Sequence, residues 1–194
     1  TGEGKFAGQV TGASSFSDIG EYFESLDGNP IAPGTIVTLK KGKIRPAKAQ
    51  ERMIGVISKT AGIMLGQSTY HWQGRYLKDD FGEPILEERL VKIKDDDGNV
   101  REELQRLPIE NPDYQEELSY KSREERPEWN KVGLLGQVRI RIDETVGEED
   151  YVIANGGLAT RAEDPNQGYE VMEIIIPYDT NKGYGVALCL VHPI

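Results

Sequence analysis

The residues best suited to chemistry lie near the start, in Ser14-Ser15-Phe16-Ser17-Asp18-Ile19-Gly20-Glu21-Tyr22-Phe23-Glu24. Carboxylates recur at every third position, Asp18, Glu21 and Glu24, among aromatic and apolar neighbours. An extended strand would turn Asp18 and Glu24 to one face and Glu21 to the other, whereas a tight turn or single helical turn would bring Asp18 and Glu21 together. A carboxylate pressed against Tyr22 or Phe23 would be held above its ordinary pKa by desolvation. One acid can then stay protonated while its neighbour stays charged, which is the division of labour that acid/base catalysis needs. The bland alternative is a solvated acidic strand edge.

Other chemistries lack support. His71 and His192 are the only histidines, and no G-x-S-x-G elbow accompanies them. Cys189 lies inside an apolar run, where a free thiol is usually a small core residue. No phosphate-binding glycine loop is present. Asp95-Asp96-Asp97 lacks the glutamate that would close a calcium loop. One cysteine and two histidines exclude a Cys/His zinc site within one chain, so no metal or cofactor is expected.

The 194 residues carry 23 Lys+Arg against 33 Asp+Glu, a net charge of −10, which argues against a nucleic-acid partner. No apolar run is long enough for a membrane helix, and Thr1–Val10 lacks the pattern of a secretory signal. A hydrophobic share of 37% is low for a self-sufficient monomer, so other subunits are expected to complete part of the core.

The elements that must position the acids read as short strands. Period-two alternation marks Ile36–Leu39, Met53–Ile57, Val138–Ile142, Val171–Ile176 and Val186–Val191, with Arg139 and Arg141 opposite the apolar face of the third. Turn chemistry separates strands at Lys41-Gly42, Asp97-Gly98-Asn99, Asn155-Gly156-Gly157 and Asn181-Lys182-Gly183. The best helical candidate, Tyr114–Arg126, is flanked by prolines and short. The expected fold is mainly β, with antiparallel hairpins and few short helices. Residues 78–130 form a charged excursion, including a hairpin with arms Leu86–Lys94 and Val100–Leu107. The glycine-rich start cannot support its own core and reads either as the end of a larger extended fold or as a strand laid against a partner chain.

Ser17-Asp18-Ile19-Gly20-Glu21-Tyr22-Phe23-Glu24, followed by Asp27-Gly28-Asn29-Pro30, resembles the opening of the C-terminal intramolecular chaperone domain of phage tailspike and pre-neck appendage proteins, a family of self-cleaving glutamic peptidases. Val37-Thr38-Leu39, Lys43-Ile44 and Ile54–Ser58 resemble its next strands. Trp72–Gly82 resembles its Trp-x-Gly-x-Tyr…Asp-x-Phe-Gly segment. Arg123-Glu124-Glu125-Arg126-Pro127-Glu128-Trp129, then Val132-Gly133-Leu134-Leu135-Gly136, resembles its most distinctive block. The similarity runs from about Ser17 to at least Thr160.

The resemblance implies a domain at the end of a homotrimeric phage fibre protein, following a β-helical spike region. It implies that the domain promotes trimer assembly in the host cytoplasm and then releases itself by single-turnover autoproteolysis, leaving the mature spike on the virion. Residues 1–17 would then be the end of the upstream spike and 18–194 the self-cleaving domain. The cut would fall between Ser17 and Asp18, with Glu21 the leading catalytic carboxylate, Asp18 assisting and Glu24 a possible support. Attack by Ser17 on its own carbonyl would close a strained four-membered ring; its attack on the Phe16 carbonyl, cutting one residue earlier, ranks second.

Two readings compete. One is a non-catalytic trimeric fibre-tip or assembly domain, with Tyr70, Trp72, Tyr76 and Trp129 binding a glycan or partner. The other is a glycosidase using paired carboxylates, for which no sequence feature marks a groove.

Overall fold

The computed structural model describes residues 17–66, 74–94, 98–117, 121–164 and 167–193. The chain divides into two compact units, Thr1–Gln67 with Arg123–Ile194, and Ser68–Ser122.

The larger unit is one sheet wound around a long central strand. Its strands are β1 (Asp18–Glu24), β2 (Ile36–Lys40), β3 (Lys43–Pro46), β4 (Gly55–Ile57), β5 (Ile63–Leu65), β8 (Trp129–Ile142), β9 (Tyr151–Asn155), β10 (Leu158–Arg161), β11 (Tyr169–Asp179) and β12 (Tyr184–Val191). They run in the order β10-β9-β11-β12-β8-β4-β2-β3, with β1 between β8 and β5. A bridge from Ala159 to Ile142 joins β10 back to β8, so part of the sheet closes on itself in a barrel-like curl. Closure removes sheet edges that would otherwise expose unpaired backbone groups.

Alternation explains the core. Val138, Ile140 and Ile142 of β8 point inward with Val152, Ala154, Tyr169, Val171, Ala187, Cys189 and Val191, while Arg139 stays exposed. Burial pushes the Cys189 thiol up to about 12, so it is an inert core residue. Val37, Ile44, Ile57 and Val132 form a second cluster, covered by Phe23 and Leu134.

β8 spans 14 residues and serves several partners. Val132 and Gly133 pair with Glu21 and Gly20 of β1 and with Ile57 and Val56 of β4, so β8 runs between β1 and β4 there. The β1 register skips from Ile19–Leu135 to Gly20–Gly133, leaving Leu134 as the extra residue of a bulge. Such bulges bend a strand and re-aim its side chains.

The smaller unit contains a two-stranded ribbon, β6 (Leu86–Lys94) and β7 (Val100–Pro108), in continuous register from Leu86–Pro108 to Lys94–Val100. Beside it in sequence, the Arg75 guanidinium lies 5.5 and 5.7 Å from the Tyr76 and Tyr114 ring centres and 3.2 Å from Glu110. The expected hairpin is therefore present. The expected helix Tyr114–Arg126 is not: its described residues hold only a 3-10 turn at Arg123–Glu125. The flanking prolines leave too few bonded turns to offset helix nucleation.

Candidate functional site

The acidic segment folds as a strand, which decides between the two expected geometries. Asp18, Gly20 and Tyr22 are buried and Ile19 is exposed, with Glu21 half-buried on Ile19's side of the strand. Asp18 and Glu21 are therefore not brought together within one chain.

Asp18 sits at the start of β1, opposite Gly136. It is 4% exposed. Its Oδ1 accepts the Ser17 hydroxyl at 3.2 Å, while Oδ2 is buried with no hydrogen-bond partner among the described residues. Burial pushes its carboxyl above the ordinary aspartate value, and the Ser58 and Ser17 hydroxyls pull it back. Ser58 and Asp18 Oδ2 both border the space over Gly133, where a Cβ would stand 3.3 Å from Ser58 Cβ and 2.7 Å from Oδ2.

The carbonyl of Ser17 is also held. It accepts the main-chain N–H of Gln137 at 2.7 Å, and the Asp18 carbonyl accepts that of Gly62 at 3.0 Å. The Ser17–Asp18 peptide is thereby pinned from β8 and from the segment before β5. Gly136 makes this approach possible: its φ is +113°, and a Cβ there would stand 2.3 Å from the Ser17 oxygen. A donor already directed at a carbonyl oxygen is the arrangement that stabilises the oxyanion of acyl transfer.

Glu21 pairs with Val132 on one side and Leu65 on the other. Glu21 stands four positions along extended chain from Ser17, about 13 Å, further than its side chain spans. Its carboxylate lies near Gly66, where the Arg123 guanidinium donates to the Gly66 carbonyl at 2.6 Å. Exposed Ile19, Ile63, Leu65 and Leu135 surround it by register. Glu24 is 2.5 Å from Lys43 Nζ, in an ion pair away from the Ser17 carbonyl.

Sequence reasoning missed Ser58, Gly133 and Gly136 as parts of this site. The available signal was two glycines inside a strand pattern, which marks close backbone approach. Among the described residues, no three His, Cys, Asp or Glu side chains form a group able to hold a metal. Residues 1–16, His71, Trp72, Tyr70 and Asp95-Asp96-Asp97 lie outside the described residues. Trp129 is half-buried under the Arg123 guanidinium, 4.0 Å from its ring centre.

Comparison with known proteins gives this geometry a context. The chain is 51% identical over 181 residues to the pre-neck appendage protein of Bacillus phage B103, covering 93% of this chain and 20% of that one. It is 45% identical over 192 residues to the putative phage-related protein YobO of Bacillus subtilis (strain 168), covering 98% and 22%. The chain thus spans about a fifth of the length of the curated relatives it matches. The crystal structure of pre-mature bacteriophage phi29 gene product 12 superposes with a TM-score of 0.80 at 46% identity, over 96% of this chain and 23% of that one. The structure of the phi29 gene product 12 C-terminal fragment superposes at 0.71 and 47% identity, over 90% of this chain and 99% of the fragment. The family described as "Peptidase_G2, IMC autoproteolytic cleavage domain" matches residues 1–192, and the chain belongs to it.

Proposed function

We propose that this domain promotes assembly of a homotrimeric phage tailspike or appendage protein in the host cytoplasm, then releases itself by cutting the Ser17–Asp18 bond. The mature spike, including the β-helical region upstream, would go to the virion. The carrying observation is the pinned peptide itself: the Ser17 carbonyl on the Gln137 N–H, with the Asp18 carboxyl buried on the leaving side.

The chemistry is hydrolysis. Glu21 takes a proton from water, and the water oxygen attacks the Ser17 carbonyl carbon. The oxyanion develops on the oxygen that Gln137 already contacts. Asp18 gives its proton to its own amide nitrogen as the C–N bond breaks, leaving a carboxyl terminus at Ser17 and an amine at Asp18. A positioned acid or base is worth roughly 10²–10⁴-fold, an oxyanion donor a similar factor. Folding has already oriented the substrate, so no second molecule need be captured.

Glu21 stands on the strand face away from Asp18, among Ile19, Ile63, Leu65 and Leu135, which are 36–50% exposed. An exposed apolar surface around a half-buried acid favours coverage by another copy of the chain. Glu21 of one copy then serves the bond of its neighbour, and only assembled trimers are cut. Glutamic-type catalysis and the trimer are both parts of this reading.

Intact-mass analysis of the full-length parent chain tests it. Wild type should give two complementary masses with a new terminus at Asp18, and Glu21→Gln a single uncut mass. Identical fragments from both would refute the role of Glu21.

A further inference from the structure

Ser58 follows β4, and its main-chain N–H donates to the Lys131 carbonyl of β8 at 2.9 Å. Its side chain is buried at 4% exposure. The same strand, β8, carries β1 on its other edge. Asp18 and Ser58 approach each other across β8, above Gly133. A Cβ on Gly133 would stand 2.7 Å from Asp18 Oδ2 and 3.3 Å from Ser58 Cβ. Only a bare backbone at 133 lets the two side chains share that space.

Three facts give Ser58 a direction. Its Oγ accepts the Thr60 N–H at 3.2 Å, which leaves its own proton free. Asp18 Oδ2, the oxygen over Gly133, is a buried acceptor without a hydrogen-bond partner among the described residues. The other oxygen, Oδ1, already has the Ser17 hydroxyl. A buried carboxylate oxygen lacking a donor is costly, and a hydroxyl bordering the same space over Gly133 is the natural partner.

We infer that Ser58 is a positioning residue for self-cleavage: its hydroxyl turns onto Asp18 Oδ2 as that carboxyl gives up its proton, and holds the group beside the leaving nitrogen. This rests on the reading that Asp18 protonates its own amide nitrogen. The step balances: the proton passes from Asp18 to the nitrogen, and Ser58 keeps its own while donating a hydrogen bond to the new carboxylate.

The polar groups facing Asp18 are few. Among the described residues, β8 brings the bare Gly133 and Gly136 to Asp18, the segment before β5 brings the Gly62 N–H to its carbonyl, and the hydroxyls are those of Ser17 and Ser58. The nearest charged residues in sequence are exposed Lys59 and half-buried Glu21 on the opposite face. Ser58 is therefore the main group able to stabilise the charged form from the β4 side.

The test is the pH dependence of the first-order cleavage rate in the full-length parent chain, read by intact mass with the new terminus sequenced. A general acid acts in its protonated form, so the rate falls as pH rises through its pKa. Without the Ser58 donor that falling limb should move up by about one pH unit, the equivalent of one hydrogen bond to a charged group. Ser58→Ala should show this displacement, with cleavage at the optimum slowed about tenfold. Ser58→Cys, close in size but a weak donor, should show the same displacement and covers the case where alanine disturbs folding. A wild-type limb in both variants would overturn the inference even if the rates fell, because a purely structural role changes amplitude and not pH position. Asp18→Asn, run in parallel, separates the two failures. If it is inactive and the Ser58 variants keep the wild-type limb, the Asp18 reading stands and this inference falls. If Asp18→Asn cuts at the wild-type rate, both fall.

Discussion

Asp18 Oδ2 lies over the bare Cα of Gly133, a residue more than a hundred positions away, with only 2.7 Å separating it from where a Cβ would be. That clearance aligns an acid with the bond it is proposed to break. Gly133→Ala should therefore displace the carboxylate. An added methyl in a packed site costs about 1–3 kcal/mol, while a displacement of about 1 Å at a reacting group can cost about 100-fold in rate. Cleavage should fall by about that factor with only a modest loss of melting temperature.

Gly136→Ala should behave differently. Its φ of +113° is strained for any residue with a side chain, and the new Cβ would overlap the Ser17 oxygen at 2.3 Å. Stability and cleavage should be lost together, because β1 can no longer seat against β8. Thermal melting and a cleavage time course on the same samples distinguish the two glycines. A Gly136→Ala variant that melts like wild type would contradict the account of the pinned carbonyl.

The strands themselves were legible because alternation is a local signal. Val138–Ile142 carries it in five consecutive residues, and the β6–β7 ribbon needed only its turn and matching arms. What escaped was pairing. Nothing near Asp18 in sequence indicates that its backbone meets Gly136, or that Ser58 reaches the same space. Those contacts exist because β8 is long enough to hold β1 and β4 on opposite edges. The spacing of Asp18, Glu21 and Glu24 left two geometries open, and the Ile19–Leu135 and Glu21–Val132 pairs select the strand. Of the helix expected at Tyr114–Arg126, the described residues hold only the 3-10 turn Arg123–Glu125, since its flanking prolines keep any helix there short.

Asp18 should also cost stability. Its carboxyl is held above the ordinary value by burial, so the folded chain binds its proton more tightly than the unfolded chain. For this group, stability is higher at low pH and falls as pH rises from the unfolded aspartate value, about 4, through the raised folded one. Asp18→Asn removes the charge at little change in shape. In a Glu21→Gln background, where cleavage does not interfere, Asp18→Asn should melt higher at neutral pH, and the difference should vanish near pH 3. A lower melting temperature at neutral pH would show that the carboxylate is better solvated than its burial indicates.

Glu51 works in the opposite sense. Arg45 grips both its oxygens, at 2.6 and 2.8 Å, and the Lys48 N–H adds a third bond. The Arg45 hydrogen bonds, with that N–H, hold its pKa down to about 2. Its contribution is complete above the unfolded glutamate value, about 4.3, and is lost as pH falls toward 2. Glu51→Gln should lower the melting temperature at neutral pH and match wild type at pH 2. The effect should be small, since the pair is partly solvated and salt screens it.

Arg123 ties together the chain around Glu21. Its guanidinium stacks 4.0 Å from the Trp129 ring centre and donates to the Gly66 carbonyl at 2.6 Å, joining the end of β5 to the start of β8. Trp129 pairs in turn with Glu24 at the far end of β1. A stacked cation is worth about 0.5–1 kcal/mol at an exposed site, and a charged hydrogen bond about 1.5–3 kcal/mol before solvent competition. Arg123→Ala should cost about 1–2 kcal/mol and speed amide exchange at Met64 and Leu65 in β5. Arg123→Lys should recover less than half, because an ammonium cannot lie flat on the indole while reaching the carbonyl. Full recovery by lysine would mean that charge alone matters there, and that the stacking geometry does not hold β5 beside Glu21.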